Sequence, residues 1–203
     1  MLLSTTNSII IAVEPHPRNQ FAFQQTISAL QDPTLRHRVV LFPIGAGASS
    51  STSTIYAAAD NFGNSIVGIQ VKDHDTQYFD TSEQHRVRIE RLDSILKSST
   101  DLDMSKPLPR IPLMKLDAQG FECNVLEGMS DDLAKRIDIV RFEVSNQWLQ
   151  AQNCTNLLER FRKLGFNIYK GARGDIPLHG EAHEIKAAVK ECTARRTKPR
   201  EQS

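Results

Sequence analysis

The chain has 203 residues, of which 39% are hydrophobic and 24% are charged, and its formal net charge is +1 at pH 7. These values are typical of one soluble globular domain with a sizeable core, and a charge so close to zero gives no reason to expect a nucleic-acid partner. The apolar run at Ile9–Val13 is too short to span a bilayer and lacks the basic segment that opens a signal peptide, so we expect no membrane segment.

The chain begins with a β-α-β pattern. Ile9–Val13 is predicted to be a buried strand that ends at Glu14. Pro17 suits the start of a helix, which continues to about residue 31. Val39–Ile44 is the next predicted strand. Two strands joined through a helix predict a parallel sheet with a right-handed crossover.

The next segment is poor in periodic apolar residues. Gly45–Thr54 is low in complexity, which predicts a mobile surface loop. Val67–Val71 and Val87–Ile89 are predicted to be short strands, separated by a polar loop over Lys72–Gln84. Ser98–Pro112, rich in Asp and Pro, is predicted to be a second loop.

Leu113–Gly128 has the pattern of a buried strand, a tight turn and a helix. The strand over Leu113–Leu116 is expected to be covered on both faces, Gly120 marks the turn, and Gly128 is placed to end the helix. Asp117 falls at the carboxyl end of the strand, where open α/β sheets bind ligands. It is therefore either a functional residue or a cap of the helix.

The rest of the chain repeats the alternation of strands and helices. Ile137–Val144 and Phe166–Tyr169 are predicted strands, and the helix between them closes at Gly165. Ala182–Thr193 is a predicted helix. We therefore expect one α/β domain over residues 1–193, with a Rossmann-like, mainly parallel sheet and helices on both faces, followed by a basic flexible tail at Ala194–Ser203.

Three cysteines, Cys123, Cys154 and Cys192, stand far apart in the sequence. They form neither a disulfide framework nor a Cys-x-x-Cys metal pair. We therefore expect three structural thiols in a reducing compartment, which favours the cytoplasm.

The six histidines form neither a His-x-His nor a His-Glu-x-x-His pattern, which are common arrangements of metal ligands. His74 stands between Asp73 and Asp75, and such a group could hold a cation. In a polar segment it is more typical of a solvated charge run, so we predict no metal site.

Charged residues at the predicted strand ends are the candidates for chemistry. Glu14 could accept hydrogen bonds from both hydroxyls of a ribose, as acidic residues at such strand ends do in dinucleotide folds, or it could be a solvated glutamate. Lys115 lies on the same face of its strand as Asp117. A buried lysine normally has an acidic partner, so Lys115 could pair with Asp117, with Glu143 or with neither, and a structural ion pair is the alternative to a catalytic role.

Two segments carry a resemblance to a known family. Lys115–Gly128, Lys-Leu-Asp-Ala-Gln-Gly-Phe-Glu-Cys-Asn-Val-Leu-Glu-Gly, resembles the signature Lys-Ile-Asp-Val-Glu-Gly-Ala-Glu-x-x-Val-Leu-x-Gly of the FkbM family of S-adenosylmethionine-dependent methyltransferases. Ile11–Pro17, Ile-Ala-Val-Glu-Pro-His-Pro, is similar to that family's Ala-Phe-Glu-Pro-Asn-Pro. A weaker match, Arg91–Leu96, lies between them, and the resemblance covers about residues 9–169.

The resemblance implies a methyltransferase that uses S-adenosylmethionine and methylates an oxygen of a small molecule or glycan. It assigns Glu14 and Pro15 to the cofactor. It places three further residues, Lys115, Asp117 and Glu143, on the acceptor side, where Asp117 could orient an acceptor hydroxyl or take its proton.

Two residues beside Asp117 complete the comparison with the signature. Gln119 departs from the family, which usually has Glu at this position and so carries a further charge there. Glu122 matches the signature, and we expect it to interact favourably with the dipole of the helix that follows.

The family pattern also begins with a strand and a Gly-rich loop that wraps the methionine end of the cofactor. Only Met1–Ser8 precede the Glu14 strand, and they contain no Asp-x-Gly-x-x-x-Gly pattern. We therefore expect an amino-terminally incomplete domain that lacks this unit and binds the cofactor weakly or not at all. The alternative is a truncated or degenerate α/β domain that acts as a binding module or has no activity.

Overall fold

The structure, a computed structural model, describes residues 8–59, 62–68, 79–98, 109–144, 149, 152–154, 156–170, 176–177 and 191–196. The fold is α/β, as predicted. The chain divides into two compact units. The amino-terminal unit comprises residues 1–46 and 50–90, and the carboxyl-terminal unit comprises residues 47–49 and 91–203.

The amino-terminal unit begins with the predicted β-α-β arrangement. Its elements are β1 (Ile10–Val13), α1 (Pro17–Ser28), α2 (Pro33–Arg36) and β2 (Val39–Phe42). The two strands pair in parallel, with Ile10 opposite Val39, which confirms the predicted direction. α1 begins at Pro17 because His16 caps its first turn and because proline at the first helical position gives up an N–H that would have no partner in the helix.

A four-stranded sheet forms the rest of this unit. Its strands are β3 (Gly45–Ala46), β4 (Ser51–Ala58), β5 (Ile66–Val67) and β6 (Phe79–Glu90). Their order is β3-β6-β4-β5; β4 runs antiparallel to β5 and β6, and β3 runs parallel to β6. The prediction of a mobile loop over residues 45–54 is wrong, because residues 51–54 pair with β6. The hydrogen bonds between these strands decide the conformation although the local composition has no apolar periodicity.

The shorter predictions in this unit have mixed outcomes. The strand over residues 87–89 is confirmed as part of β6, and the strand predicted from Val67 overlaps β5. The loop predicted over residues 72–84 is wrong for residues 79–84, which belong to β6. Residues 69–78, which include His74, lie outside the described residues.

The carboxyl-terminal unit contains one five-stranded sheet and four short helices among its described residues. The helices are α3 (Leu92–Lys97), α4 (Glu122–Glu127), α5 (Asp131–Ala134) and α6 (Leu157–Lys163). The strands are β7 (Met114–Leu116), β8 (Ile139–Glu143), β9 (Phe166–Lys170), β10 (Ile176–Pro177) and β11 (Glu191–Arg196). The sheet order is β10-β9-β11-β8-β7.

The sheets are mixed, so the prediction of a mainly parallel Rossmann-like sheet is wrong. In the five-stranded sheet β7 and β8 are parallel, whereas β11 runs antiparallel to both β8 and β9. The strands predicted to share one sheet form two parallel pairs, β1/β2 and β7/β8, in different sheets. Local apolar runs fix which segments become strands, but partners are fixed by contacts between distant segments.

The end of the chain also differs from its prediction. Residues 191–193 belong to β11 and not to the carboxyl end of a helix, and 194–196 continue that strand where a flexible tail is predicted. Thr193 and Ala194 are fully buried. β11 has a hydrogen-bonded strand on each side, so the sheet decides its conformation despite the helical pattern of the sequence before it.

A disulfide joins Cys123 of α4 to Cys154, which are 31 residues apart in the sequence and have their Cα atoms 5.6 Å apart. Both side chains are buried. The prediction of three free thiols is therefore wrong for this pair, because sequence spacing does not show which cysteines meet in space. Disulfides are typical of oxidising compartments, so the bridge removes the sequence argument for a reducing one.

The core of the carboxyl-terminal unit lies between its sheet and α6. Phe161 of α6 stacks on Phe142 of β8, with ring centroids 4.3 Å apart, and Leu157 and Leu158 of the same helix are fully buried. α1 is the longest of the described helices, at 12 residues. None of the helices in the described part of the chain has the length and apolar character needed to cross a bilayer.

Candidate functional site

Asp117 and Glu143 lie at the same edge of the carboxyl-terminal sheet. β7 and β8 are parallel, and Leu116, the last residue of β7, pairs with Phe142. Asp117 directly follows Leu116, and Glu143 directly follows Phe142. Both therefore lie at the carboxyl ends of adjacent strands. Glu143 is half-buried. In α/β sheets this is the edge where ligands bind.

Asp117 is held by two side chains. The Nζ atom of Lys115 lies 3.0 Å from Asp117 Oδ2, and Gln119 Nε2 donates a hydrogen bond of 2.8 Å to Asp117 Oδ1. Asp117 is thus the partner of Lys115, one of the three possibilities that the sequence leaves open. The lysine side chain is 76% exposed, so the predicted burial of β7 on both faces is wrong at this position.

The exposure of this ion pair bears on its role. An ion pair this open to solvent contributes about 0–1 kcal/mol to the free energy of unfolding. The ion pair of Arg110 with Asp138 in the same unit has nearly the same exposure and a 2.7 Å distance. The Lys115–Asp117 ion pair therefore adds little to the stability of the protein. The Arg110–Asp138 pair offers a matched control for variants of Asp117.

The turn after Asp117 has an unusual backbone. Gln119 and Gly120 have φ angles of 47° and 94°, both in the left-handed region. This geometry costs glycine little, but it costs a side-chain-bearing residue such as Gln119 about 1–2 kcal/mol. The bond from Gln119 to Asp117 helps to hold the turn. A Glu at residue 119, usual in the family, would instead place a second carboxylate beside Asp117.

Glu122 has a structural role in this turn that the sequence does not indicate. Its side chain is 2% exposed, and its Oε1 atom accepts a hydrogen bond of 3.0 Å from the backbone N–H of Ala118. Phe121, the residue that precedes α4, makes no side-chain cap bond. Besides the expected interaction with the helix dipole, Glu122 therefore makes a direct hydrogen bond that ties the turn to α4. In a capping box a side chain reaches back to a backbone N–H in a similar manner.

Burial raises the pKa of Glu122 above its ordinary value of 4.5, while backbone N–H groups of the turn partly oppose the rise. The folded protein therefore holds a proton over a pH range in which the unfolded chain has lost it. We expect the free energy of unfolding to fall as pH rises from about 4.5 through the raised pKa and then to level off.

Urea unfolding between pH 4 and 8 tests this expectation in two glutamine variants of α4. Glu122→Gln keeps an acceptor for the Ala118 N–H and should flatten the fall in stability. Glu127→Gln changes an exposed carboxylate of the same helix and should leave the fall as it is. Identical pH profiles for Glu122→Gln and the natural protein would show that this carboxyl does not titrate in the proposed way.

Gly128 ends α4 for a reason other than the one predicted. Its φ is −79°, which is an ordinary right-handed value and not the left-handed conformation typical of a glycine cap. A Cβ atom at this position would lie 1.9 Å from the carbonyl oxygen of Gly47. The glycine is therefore required because another stretch of backbone passes too close for any side chain.

Glu14 and Pro15 lie in the amino-terminal unit, directly after β1. The Oε1 atom of Glu14 accepts a hydrogen bond of 2.7 Å from the backbone N–H of His16. The side chain of Gln20 donates to the carbonyl oxygens of Glu14 and Pro15, at 2.9 and 3.1 Å. These bonds fix the chain between β1 and α1.

Burial raises the pKa of Glu14, and hydrogen bonds from His16 and Asn19 partly offset the rise. The residue is half-buried, so it is not the fully solvated glutamate that the sequence leaves as an alternative. A carboxylate has about four acceptor sites, so the bonds from His16 and Asn19 leave capacity for a ligand diol.

The family described as "Methyltransferase FkbM domain" matches residues 3–168. The fold is similar to the crystal structure of Methyltransferase FkbM from Methylobacillus flagellatus KT, with a TM-score of 0.50 and 13% sequence identity. That likeness covers 93% of this chain, which spans 36% of the other.

No curated protein matches the sequence. The resemblance seen in the Lys115–Gly128 and Ile11–Pro17 segments is confirmed by a family match that contains both segments. The chain belongs to the Methyltransferase FkbM domain family.

Proposed function

We propose that this protein is an S-adenosylmethionine-dependent methyltransferase that transfers the sulfonium methyl group to an oxygen of a small molecule or glycan. The observation that supports this most is the Lys115–Asp117–Gln119 arrangement at the carboxyl end of β7. It lies within the segment matched by the family. Its exposed ion pair adds little to stability, and its carboxylate lies at the sheet edge where α/β proteins bind ligands.

In this proposal the residues have distinct tasks. Asp117 orients the acceptor hydroxyl or takes its proton as the methyl group arrives. Lys115 orients Asp117 through their ion pair and can donate to the acceptor, while Glu143 lines the same sheet edge. Most of the rate enhancement would come from placing the acceptor oxygen in line with the methyl group.

Glu14, with Pro15, would hold the ribose of S-adenosylmethionine. A ribose presents two neighbouring hydroxyl donors, and a carboxylate can accept from both. The backbone around Glu14 is fixed by Gln20 and by the bond from His16, so the carboxylate is held in place before the cofactor binds. Prior positioning of this kind lowers the entropic cost of binding.

Titration with S-adenosylmethionine tests the cofactor role. Glu14→Gln keeps an acceptor for the His16 N–H but loses the charge, and we expect it to weaken binding by about 1–3 kcal/mol, or roughly 5- to 150-fold, the usual range for a lost charge-assisted hydrogen bond. Because the sequence predicts weak binding, the titration should extend to millimolar cofactor and use ligand-observed NMR.

Glu90 supplies the control, since it too lies at the carboxyl end of a strand in the same unit and its Oε1 atom lies 3.8 Å from Arg88 Nε. Glu90→Gln should bind the cofactor as the natural protein does. Equal affinities for Glu14→Gln and Glu90→Gln would remove Glu14 from the cofactor site. Absence of any cofactor binding by the natural chain would favour the non-catalytic alternative.

A further inference from the structure

A second group of titratable side chains lies in the amino-terminal unit. His16 caps α1, and Glu83 and His85 lie on β6. Each offers one potential ligand atom, and these atoms all lie within 4.8 Å of one another. The rings of His16 and His85 meet edge to face, with centroids 5.4 Å apart. Sequence spacing does not reveal this group because 67 positions separate residue 16 from residue 83.

One atom of the group lacks a partner. The side chain of His16 is fully buried, and its Nε2 atom has no hydrogen-bond partner among the described residues. A buried polar atom without a partner keeps the full cost of its desolvation, and such atoms in natural proteins call for an explanation. A ligand that binds Nε2 would remove this cost.

We propose that His16, Glu83 and His85 bind a divalent transition-metal ion with the preferences of Zn²⁺. Two imidazoles and one carboxylate form a known zinc ligand set that leaves a coordination position open. Tetrahedral ligands at about 2.1 Å from zinc lie roughly 3.4 Å apart, so atoms that now lie within 4.8 Å of one another would approach by up to about 1.4 Å.

Metal binding would compete with two existing contacts. The Nδ1 atom of His16 accepts a hydrogen bond of 3.2 Å from the N–H of Arg18, and coordination through Nε2 requires a proton on Nδ1. Coordination through Nε2 therefore gives up this cap of α1.

The second contact is the ion pair of Arg18 Nε with Glu83 Oε1, at 2.7 Å. Glu83 Oε1 also lies 3.4 Å from His85 Nε2. The side chain of Arg18 is 57% exposed, so it can turn into solvent when an ion arrives. Removing this competing cation should therefore strengthen metal binding.

Calorimetric titration with Zn²⁺, together with the visible absorption of bound Co²⁺, tests the site in the full chain. All proteins carry Cys192→Ser, so that this thiol does not compete. The natural site should bind one ion. His16→Asn retains a good helix cap but lacks the ligand, and we expect at least a tenfold loss of affinity. His37→Asn changes an exposed histidine of the same unit and should have no effect.

Two further variants distinguish the site from a folding defect. Arg18→Ala should raise the affinity for Zn²⁺ several-fold, an effect that loss of structure would not produce. Glu83→Gln should lower it if His16→Asn proves poorly folded by circular dichroism. Absence of Zn²⁺ binding, or binding that is unchanged by both His16→Asn and Glu83→Gln, would overturn the proposal. The test does not depend on methyl transfer.

Discussion

Asp117→Asn is expected to lower kcat by about 100- to 10,000-fold, the usual contribution of a general acid–base group. Its free energy of unfolding should change by no more than about 1 kcal/mol, because its ion-pair partner Lys115 is 76% exposed. Cofactor affinity should stay close to that of the natural protein. The measurement is release of S-adenosylhomocysteine with simple methyl glycosides and small alcohols as acceptors, alongside urea unfolding.

Asp138→Asn is the matched control for this result. Asp138 pairs with Arg110 in an ion pair whose two side chains are 69% and 27% exposed, close to the 76% and 32% of the Lys115–Asp117 pair. If charge and local stability were all that mattered, the two variants would have the same turnover. Near-natural turnover for Asp117→Asn would leave Asp117 as a helix-terminal or structural carboxylate.

Reduction of the Cys123–Cys154 bridge is expected to lower the free energy of unfolding by about 3–4 kcal/mol. Cross-linking two cysteines 31 residues apart removes chain entropy from the unfolded state, and the loss grows with the length of the closed loop. The bridge also holds α4, whose Glu122 fixes the Asp117 turn. The measurement is urea unfolding with and without dithiothreitol.

The double variant Cys123→Ala with Cys154→Ala is the control for reduction. It should match the reduced protein in stability and should not respond to dithiothreitol. Thiol titration of the unreduced protein in denaturant should find one free thiol. Finding three thiols in protein purified without reductant would show that the bridge does not form under those conditions.

The sequence identifies the segments where local residues decide the structure. The apolar runs at β1, β2, β7 and β8 lie within the predicted strands. Gly120 marks the turn because few other residues adopt a φ of 94° at little cost. The start of α1 follows from Pro17 and its cap. In each case neighbouring residues determine the conformation.

The segments that sequence reasoning misplaces depend on distant partners. Residues 51–54 form part of β4 because β6 supplies the ladder, and residues 191–196 form β11 because β8 and β9 flank them. Neither partnership leaves a mark in the local composition, since strand formation depends strongly on packing against neighbours. The prediction of a single parallel sheet is wrong for the same reason.

The residues of the candidate site also divide into those that the local sequence reveals and those that depend on distant segments. Asp117 is recognisable because it ends an apolar run within a known signature, and its partners Lys115 and Gln119 lie two residues away on either side. The bond from Glu122 to the Ala118 N–H depends on the fold of the turn, and no Ser or Thr cap three residues before Glu122 announces it in the sequence. The cluster of His16 with β6 has no such local signal.

Methyl transfer itself is the central claim, and S-adenosylmethionine labelled with ¹³C at its methyl group tests it most directly. The natural chain, incubated with labelled cofactor and the acceptor panel, should yield a ¹³C O-methyl product and an equal amount of S-adenosylhomocysteine. Asp138→Asn should give the same yield, and Asp117→Asn should give at most about one hundredth of it. No labelled product above the protein-free blank, or equal product from Asp117→Asn, would contradict the proposed site.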